Sequence, residues 1–411
     1  MIVEVGRGTV LALVLAASAA CDAPSRAATG APPAHQAERA EPAPGTLSGR
    51  PFGERHRAAD VHVDRYGHLH LLVQEFGAVG PAGRPGASRI HYVRWDGRGW
   101  SAPVEVAAVP PSPVVPRVAA DADGRVLVVW QGSVGPTADP EAATHLLYRA
   151  GRGGGWSPSA ALHRLPPGGG AGDADLALVS DGGGVVHLVH GGGAGWLHRV
   201  WRGGRWSPPA EAAGPGHYPS LAAAPGSGGV SFAYVGSEVS PDRPRARSDV
   251  FVRAPGAGRW GPPREVYRDP REYSHAPQVA FDSAGGLHAV WLEGRGGELL
   301  PRRILHARSA DGVQWSAPAE VLAGPDVLAA PRLVADGRHR LHLVFTRLGR
   351  PDAAGPTFHR LTWAGGAWSA VAELFRAEGV REVVPFRGRG GAPGAVLQDG
   401  SGGYRVVELP G

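Results

Sequence analysis

A single cysteine, Cys21, is present among the 411 residues, so no disulfide can form within the chain and stability must come from packing. Lysine is absent, and all 42 cationic side chains are therefore arginine. The formal charge of +5 is small for this length, and no run of arginines resembles one that follows a phosphate backbone. We therefore expect no nucleic-acid partner, and the residue pattern leads us to expect neither a metal nor a cofactor.

The sequence is rich in residues that form turns and in residues that form a core. It has 63 glycines and 39 prolines, and 43% of its residues are hydrophobic. A chain of this length and composition can bury a substantial core. We expect one large domain, at residues 50–411, after a processed leader.

The amino-terminal residues have the composition of an export signal and a tether. Residues 1–20 contain one positive charge and an apolar core at 10–17 that is too short to span a bilayer, followed by three small residues. Together with these, Cys21 resembles a bacterial lipobox, which implies a lipidated cysteine and an extracytoplasmic, membrane-anchored protein. The alternative is cleavage after Ala20 and free secretion. Residues 21–49 are rich in Ala, Pro, Glu and Arg, which predicts a disordered tether.

One segment, residues 305–322, returns five more times along the chain in altered form. The copies are marked by Trp100, Trp156, Trp206, Trp260, Trp315 and Trp368, with spacings of 56, 50, 54, 55 and 53 residues. Each copy reads as a β-hairpin, with an alternating apolar run, a turn such as Asp96-Gly97 or Asp311-Gly312, and a second strand that begins at the tryptophan. The tryptophans are expected to pack between repeats.

A second pair of strands lies between successive hairpins, most clearly at residues 277–291. Four strands in a period of about fifty residues indicate an all-β propeller, in which each repeat is one blade. Three further strands follow Trp368, and a closed ring needs a fourth. We therefore predict seven four-stranded blades closed by an amino-terminal strand from residues 45–52, with six blades as the alternative.

The turn from Ser309 to Trp315 carries a family resemblance. Ser309, Asp311, Gly312 and Trp315 resemble the Asp-box of the sialidase-like, or BNR-repeat, propellers, although one residue is missing between the aspartate and the glycine. The other copies keep the tryptophan and lose the serine. The resemblance covers residues 56–411 as a repeat pattern and implies a propeller fold.

Polar and titratable residues recur where each innermost strand begins. In a propeller these strand starts surround one mouth of the central channel, which is the usual place for a ligand. The candidate binding residues are Arg57, Arg117, Asp173, His217, Tyr218, Tyr273, His275, Arg332, Arg381 and Glu382.

The sialidase-like resemblance implies roles for some of these residues. Arg117, Arg332 and Arg381 would clamp a carboxylate with their planar guanidinium groups. Such an enzyme would also use Tyr218 or Tyr273 as nucleophile beside Glu272 or Glu382, with Asp173 or Asp175 as acid or base.

Histidine and tyrosine offer a second interpretation of the mouth. His217-Tyr218 and His275 lie in adjacent blades, and a His/Tyr pair with an arginine is the apparatus of polysaccharide lyases, some of which are propellers. The same residues also stand next to Pro219 and Pro277, where the repeat itself begins. The alternative is therefore that they belong to the repeat pattern and have no catalytic role. By contrast, we expect histidines on the second strands to be structural: His70, His187, His288 and His342.

Together these patterns favour an exported, monomeric propeller that binds a glycan or another extracellular ligand at its mouth. The alternatives are a glycan-active enzyme, either a glycoside hydrolase or a polysaccharide lyase, and a non-catalytic scaffold of the cell envelope.

Overall fold

The computed structural model describes residues 46–47, 52, 55–78, 86–109, 115–133, 144–152, 154–165, 176–192, 195–226, 228–236, 249–254, 260–268, 273–294, 300–348, 356–376 and 380–409. The leader, Cys21 and the tether up to residue 45 lie outside these residues. The prediction of a disordered tether over residues 21–49 is wrong at Thr46–Leu47, which form a strand because they pair with the last strand of the chain. No helix formed by the described residues has the length and apolar character needed to cross a membrane.

The described strands follow one another as seven blades, preceded by a short strand, β1 (Thr46–Leu47). Blades 1 to 3 contain β2 (His56–Val63), β3 (Leu69–Glu75), β4 (Ser88–Trp95), β5 (Val104–Val109); β6 (Arg117–Ala120), β7 (Val126–Ser133), β8 (Thr144–Arg152), β9 (Gly155–Trp156), β10 (Ala160–Arg164); and β11 (Leu176–Ser180), β12 (Val186–Gly192), β13 (Gly195–Arg202), β14 (Arg205–Trp206), β15 (Ala210–Ala213).

Blades 4 to 7 contain β16 (Gly216–Ala223), β17 (Val230–Gly236), β18 (Asp249–Arg253), β19 (Arg264–Tyr267); β20 (Ser274–Phe281), β21 (Leu287–Glu293), β22 (Arg303–Ser309), β23 (Ala319–Ala323); β24 (Val327–Ala335), β25 (Leu341–Leu348), β26 (Thr357–Ala364), β27 (Ala367–Trp368), β28 (Ala372–Arg376); and β29 (Val380–Arg387), β30 (Pro393–Asp399), β31 (Tyr404–Glu408). In blades 2, 3 and 6 a two-residue strand at the hairpin tryptophan pairs with the third strand, just before the fourth.

An aspartate ends the first strand in most blades and makes the turn to the second. In Asp64, Asp121, Asp181, Asp282 and Asp336, one carboxylate oxygen accepts hydrogen bonds from the backbone N–H groups two and four residues later, at 2.7 to 2.9 Å. Aspartate favours such turns because its short side chain reaches its own backbone. These turns lie at the end of the channel opposite the mouth, since the inner strands begin at the mouth.

The ring closes between blade 7 and the amino-terminal strand. Each inner strand contacts the inner strands of both neighbouring blades, and β29 contacts β2. Strand β1 pairs antiparallel with β31, with Thr46 opposite Arg405 and Leu47 opposite Tyr404. The prediction of seven blades closed by residues from the 45–52 segment is therefore confirmed, and the six-blade alternative is wrong.

The hydrophobic core is divided among the boundaries between blades. Each boundary has its own cluster of Val, Leu, Ile and aromatic side chains drawn from both blades. All six hairpin tryptophans pack against these clusters, as predicted.

Five inner strands, β2, β16, β20, β24 and β29, contain a bulge near the mouth. In three of them the residue before a proline has positive φ, namely Tyr218 (57°), Ala276 (45°) and Ala330 (47°). A positive φ is costly for residues other than glycine, so these positions hold local strain. The repeated X-Pro segments are thus part of how the inner strands are built.

Candidate functional site

Three arginines from separate blades lie together around the channel. Arg57 is on β2, Arg117 on β6 and Arg332 on β24, and each side chain is partly exposed. We call them the arginine cluster. Two carboxylates, Asp60 and Glu382, accompany them. Because the ring places blades 6, 7, 1 and 2 side by side, these five groups occupy one continuous arc of the channel wall.

Direct contacts hold part of this group in place. Arg57 donates from Nη2 to Oε1 of the buried Gln74 at 3.2 Å, and its guanidinium lies 5.5 Å from the centre of the Phe76 ring. Asp60 Oδ2 accepts the backbone N–H of Val118 in the next blade at 2.9 Å. The carboxylate of Asp60 thus links blades 1 and 2 as well as contributing charge beside the arginines.

The charges of the cluster act on one another. Burial lowers the pKa of Arg117 to about 10, with Asp60 opposing the shift and the charges of Arg332 and Arg57 adding to it. Burial likewise lowers the pKa of Arg57, against the attraction of Glu382 and together with repulsion from Arg332. Burial raises the pKa of Asp60 although Arg117 and Arg332 favour its ionised form. The three guanidinium groups therefore lie close enough to repel one another.

Glu382 is the group of the site that titrates near neutral pH. Burial raises its pKa to about 7, while Arg57, the backbone N–H of Ala58 and Arg332 favour the carboxylate. The buried Tyr404 lies nearby, and its pKa is raised well above the usual value by burial, by Glu382 and by Asp399. A glutamate in this state can exchange a proton at physiological pH.

Several polar atoms of the site have no partner among the described residues. They are Arg57 Nε, Gln74 Nε2, Arg117 Nη1 and Glu382 Oε2. Buried polar groups in folded proteins are usually hydrogen-bonded, to protein, water or a ligand. Three donors and one acceptor of the site are thus buried without a hydrogen-bond partner among the described residues.

A second group lies on blades 4 and 5, next to the blade 6 end of the arginine arc. The Tyr218 ring is 6.3 Å from His217 and 6.1 Å from His275, measured between ring centroids. Tyr273 directly precedes β20, next to this group, and is partly exposed. The structure thus brings together the His/Tyr residues singled out in the sequence, with Tyr218 in its strained positive-φ conformation.

Other candidates are not brought into either group by the structure. Arg381 is exposed and occupies the bulge of β29, between Val380 and Glu382, which face partners on β30. The third member of the arginine cluster is Arg57 instead, whose charge acts on Arg117 and Glu382. Asp173, Asp175 and Glu272 lie outside the described residues.

Asp60 and Gln74 are site residues that the sequence did not reveal as such. A signal was present, because the position directly after the X-Pro segment is polar in four blades: Arg117, Ser220, Gln278 and Arg332. Asp60 occupies the same position on β2, four residues before the turn aspartate, but the residue before it is Ala59 rather than proline. Ser220 accepts the backbone N–H of Val279 in the next blade at 3.3 Å, which parallels the bond from Val118 to Asp60.

The second-strand histidines are structural, as expected. Each lies beside the turn aspartate of its own blade: His70 with Asp64 (3.2 Å), His187 with Asp181 (3.6 Å), His288 with Asp282 (3.3 Å) and His342 with Asp336 (3.2 Å). They belong to separate blades and do not converge. Within the described ranges, no group of three or more His, Cys, Asp or Glu side chains is arranged to hold a metal ion.

No protein-family model matches the sequence, and no curated protein sequence matches it. Among solved structures, polysaccharide lyase Uly1 is similar to this chain with a TM-score of 0.57 and 10% identity, over 91% of this chain and 94% of that one. An ulvan lyase of family PL25, solved bound to -[GlcA(1-4)Rha3S]-, gives a TM-score of 0.54 and 11% identity over 89% and 94%. An ancestral GH74 enzyme gives 0.50 and 13% over 90% and 48%. At these identities the likeness shows the propeller fold.

Proposed function

We propose that the mouth of the propeller binds an acidic glycan, whose carboxylate or sulfate group is held by Arg57, Arg117 and Arg332. The observation that carries the proposal is the placement of three arginines on the inner strands of one arc of the ring, where their like charges act on one another and two carboxylates among the described residues lie beside them. A further anion would relieve this repulsion. It would also accept hydrogen bonds from the partly exposed guanidinium groups of the arginine cluster.

The solved neighbours support a glycan as the source of that anion. One neighbour in fold is an ulvan lyase solved with a bound chain of GlcA and Rha3S. Glucuronate carries a carboxylate and the sulfated rhamnose a sulfate, and either fits a fork of guanidinium donors. We extend this class of ligand to the present chain as a proposal.

Glu382 gives the proposed binding a characteristic dependence on pH. Its pKa of about 7 means that a substantial fraction of the carboxyl is protonated at neutral pH. An anion bound beside it favours the protonated form, so binding takes up a proton. Affinity is therefore expected to fall as the pH rises from about 6 to about 8.

The test compares Arg332→Ala with Arg381→Ala in calorimetric titrations with a galacturonate trisaccharide and with neutral maltotriose. Loss of one charge-assisted contact is expected to weaken trisaccharide binding by roughly 10- to 100-fold. Arg381 is the matched control, because it is an exposed arginine outside the cluster. Equal affinity in the two variants, or equal binding of maltotriose, would refute the proposal.

A catalytic role is the second candidate, favoured by the placement of Tyr218 between His217 and His275 on blades 4 and 5, of which blade 5 adjoins the blade of Arg332. We propose that, if the protein is a lyase, the arginine cluster neutralises a uronate while this group moves the proton. An unsaturated product absorbs in the ultraviolet. Turnover that disappears in Tyr218→Phe while trisaccharide binding persists would support a lyase. Binding without turnover in the native chain supports a lectin-like protein. The absence of both binding and turnover supports an envelope scaffold.

We further propose that the chain is exported and anchored through Cys21, with secretion after cleavage behind Ala20 as the alternative. The support is the short apolar stretch followed by small residues and the only cysteine. Replacement Cys21→Ser should remove fatty-acid labelling and move the protein from the membrane to the soluble fraction. An unchanged membrane fraction would contradict the anchor.

A further inference from the structure

A cavity of about 510 Å³ lies between the outer strands of blades 1 and 2, on the face of the propeller opposite the mouth. Its walls include Tyr66 and Tyr92 of blade 1 and Trp156 of blade 2, together with Arg94 and Gly151. The volume falls within the range of small-molecule sites, about 300 to 1,000 Å³. Tyr66 is 46% exposed, which is unusual here, since Val313 is the only other large hydrophobic side chain so exposed among the described residues.

At three of the other blade boundaries the equivalent place holds a tryptophan. In the hairpins of blades 1, 3 and 6 a tryptophan on the third strand stands opposite the hairpin tryptophan, in the pairs Trp95 with Trp100, Trp201 with Trp206, and Trp363 with Trp368. In blade 2 the residue opposite Trp156 is Gly151. The cavity lies beside this glycine, and a Cβ at Gly151 would stand 2.8 Å from the Trp156 ring, so a side chain there requires that ring to shift. We call the cavity the blade 2 slot.

The filled positions show what such a ring contacts in the preceding blade. Trp201 of blade 3 donates its indole N–H to the turn aspartate of blade 2, Asp121, at 3.0 Å. Trp363 of blade 6 lies 5.6 Å from His288 and 4.8 Å from His306 of blade 5, between ring centroids. An aromatic ring thus covers the aspartate–histidine pair of the neighbouring blade.

Blade 1 presents the same kind of aspartate–histidine pair to the blade 2 slot, but no third-strand tryptophan covers it. His70 Nε2 lies 3.2 Å from Asp64, and its Nδ1 lies 2.8 Å from the Tyr92 hydroxyl. In blade 5 the corresponding side chains are His288 and His306, which lie 2.9 Å apart. The side chains of Asp64, His70 and Tyr92 all line the cavity.

An arginine is also in place to cover the occupant. In blade 5, Arg308 lies over the Trp363 ring at 5.8 Å. Arg94 holds the same hairpin position in blade 1, because the backbone oxygens of Arg94 and Arg308 both accept a hydrogen bond from the serine that follows the hairpin tryptophan. A guanidinium group favours the electron-rich face of an aromatic ring.

We infer that the blade 2 slot binds an aromatic ring of about the size of indole, which takes the place that Trp201 and Trp363 occupy at their own blade boundaries. Among these 411 residues, none outside the described ranges is Trp, Tyr or Phe, so none of them could place such a ring in the slot. The occupant is therefore an external molecule, either a free indole-type compound or the tryptophan side chain of another protein. This site is separate from the proposed glycan site.

The test uses the full chain labelled with 5-fluorotryptophan and titrated with indole, followed by fluorine NMR. Trp156 lines the slot, and its resonance is assigned by comparison with Trp156→Phe. A saturable shift of this resonance is expected. Gly151→Trp should fill the slot and abolish the indole-dependent change, whereas Val313→Trp adds the same side chain at an exposed turn and should leave binding unchanged.

A second pair of variants keeps the test decisive if Gly151→Trp folds poorly, which the other tryptophan resonances would report. Arg94→Ala is expected to weaken indole binding by about two- to fivefold through loss of the cation–π contact. Arg338→Ala removes an exposed arginine from a turn at the same end of blade 6 and should have no effect. Equal affinity in this pair would overturn the proposal.

A comparison of two probes identifies the source of the ring. Binding of indole but not of N-acetyltryptophanamide supports a small-molecule site, and binding of both supports capture of a partner's tryptophan. A Trp156 resonance that stays fixed with both probes would overturn the inference. A well-folded Gly151→Trp variant with native affinity would do the same.

Discussion

Two buried histidines are expected to make the propeller unstable in mild acid. The side chains of His190 and His306 belong to residues that are only 1% and 4% exposed. Burial lowers the pKa of His306 to about 3, and the neighbouring charges of His288 and Arg308 contribute. Burial also lowers the pKa of His190 to about 3, with contributions from His163, Arg199 and His198. Both side chains are therefore neutral in the folded protein.

The sign and the size of the effect follow from proton binding to the two states. In the unfolded chain these histidines titrate near pH 6.5, so below that pH the unfolded state binds more protons and gains free energy relative to the native state. The contribution of these two histidines to the free energy of unfolding is fully present above about pH 6.5. It is lost progressively as the pH falls toward their pKa in the folded protein. Linkage gives about 2 kcal/mol for each histidine at about pH 5, hence about 4 kcal/mol together.

Urea denaturation between about pH 5 and 8, followed by tryptophan fluorescence, measures this loss. His306→Tyr reproduces the arrangement of blade 1, where Tyr92 stands beside His70, and should remove about 2 kcal/mol of the loss expected at about pH 5. His339→Asn is the control, because His339 is an exposed turn residue. A flat stability profile in the native chain, or a His306→Tyr slope equal to that of the control, would refute the reasoning.

Two further predictions concern the ring. Phe52→Ala should lower the free energy of unfolding by about 3–5 kcal/mol in the same urea assay, because Phe52 is buried where the ring closes, against Tyr404 of blade 7 and His91 of blade 1. The control is Val313→Ala at an exposed turn. A loss below about 1 kcal/mol, equal to that of the control, would show that ring closure does not depend on Phe52. Ala330→Gly should raise the free energy of unfolding by about 1 kcal/mol, because Ala330 has a φ of 47°, which glycine adopts at no cost. Ala329→Gly in the same strand is the control and should lower it. Equal effects of the two substitutions would contradict the claim that Ala330 is strained.

The fold could be predicted because its signals are local and repeat. A tryptophan-led hairpin recurs about every fifty residues, and the three strands after Trp368 leave one strand missing. Antiparallel hairpins need only nearby residues to specify their register. Closure by residues 46–47 followed from the same count, since a ring without a partner for β31 would keep an open edge.

The candidate site was predicted less completely, and the reason is the bulges. Sequence alone favoured Arg381 as the third guanidinium, but the extra residue at the bulge of β29 leaves Arg381 exposed and Glu382 beside Arg57. A shift of one residue moves a side chain to the other face of a strand. Contacts between blades, such as the one between Asp60 and Val118, depend on how the whole ring packs and have no local signal.

The most direct measurement of the proposed site is a double-mutant cycle of Arg117→Ala and Arg332→Ala, with binding of the galacturonate trisaccharide as the readout. These arginines come from blades 2 and 6, so they have a common ligand only if the ring gathers them around one anion. The account predicts that the two losses are non-additive, with an interaction energy above about 1 kcal/mol. Losses that add within about 0.5 kcal/mol would contradict a shared anion site at the mouth.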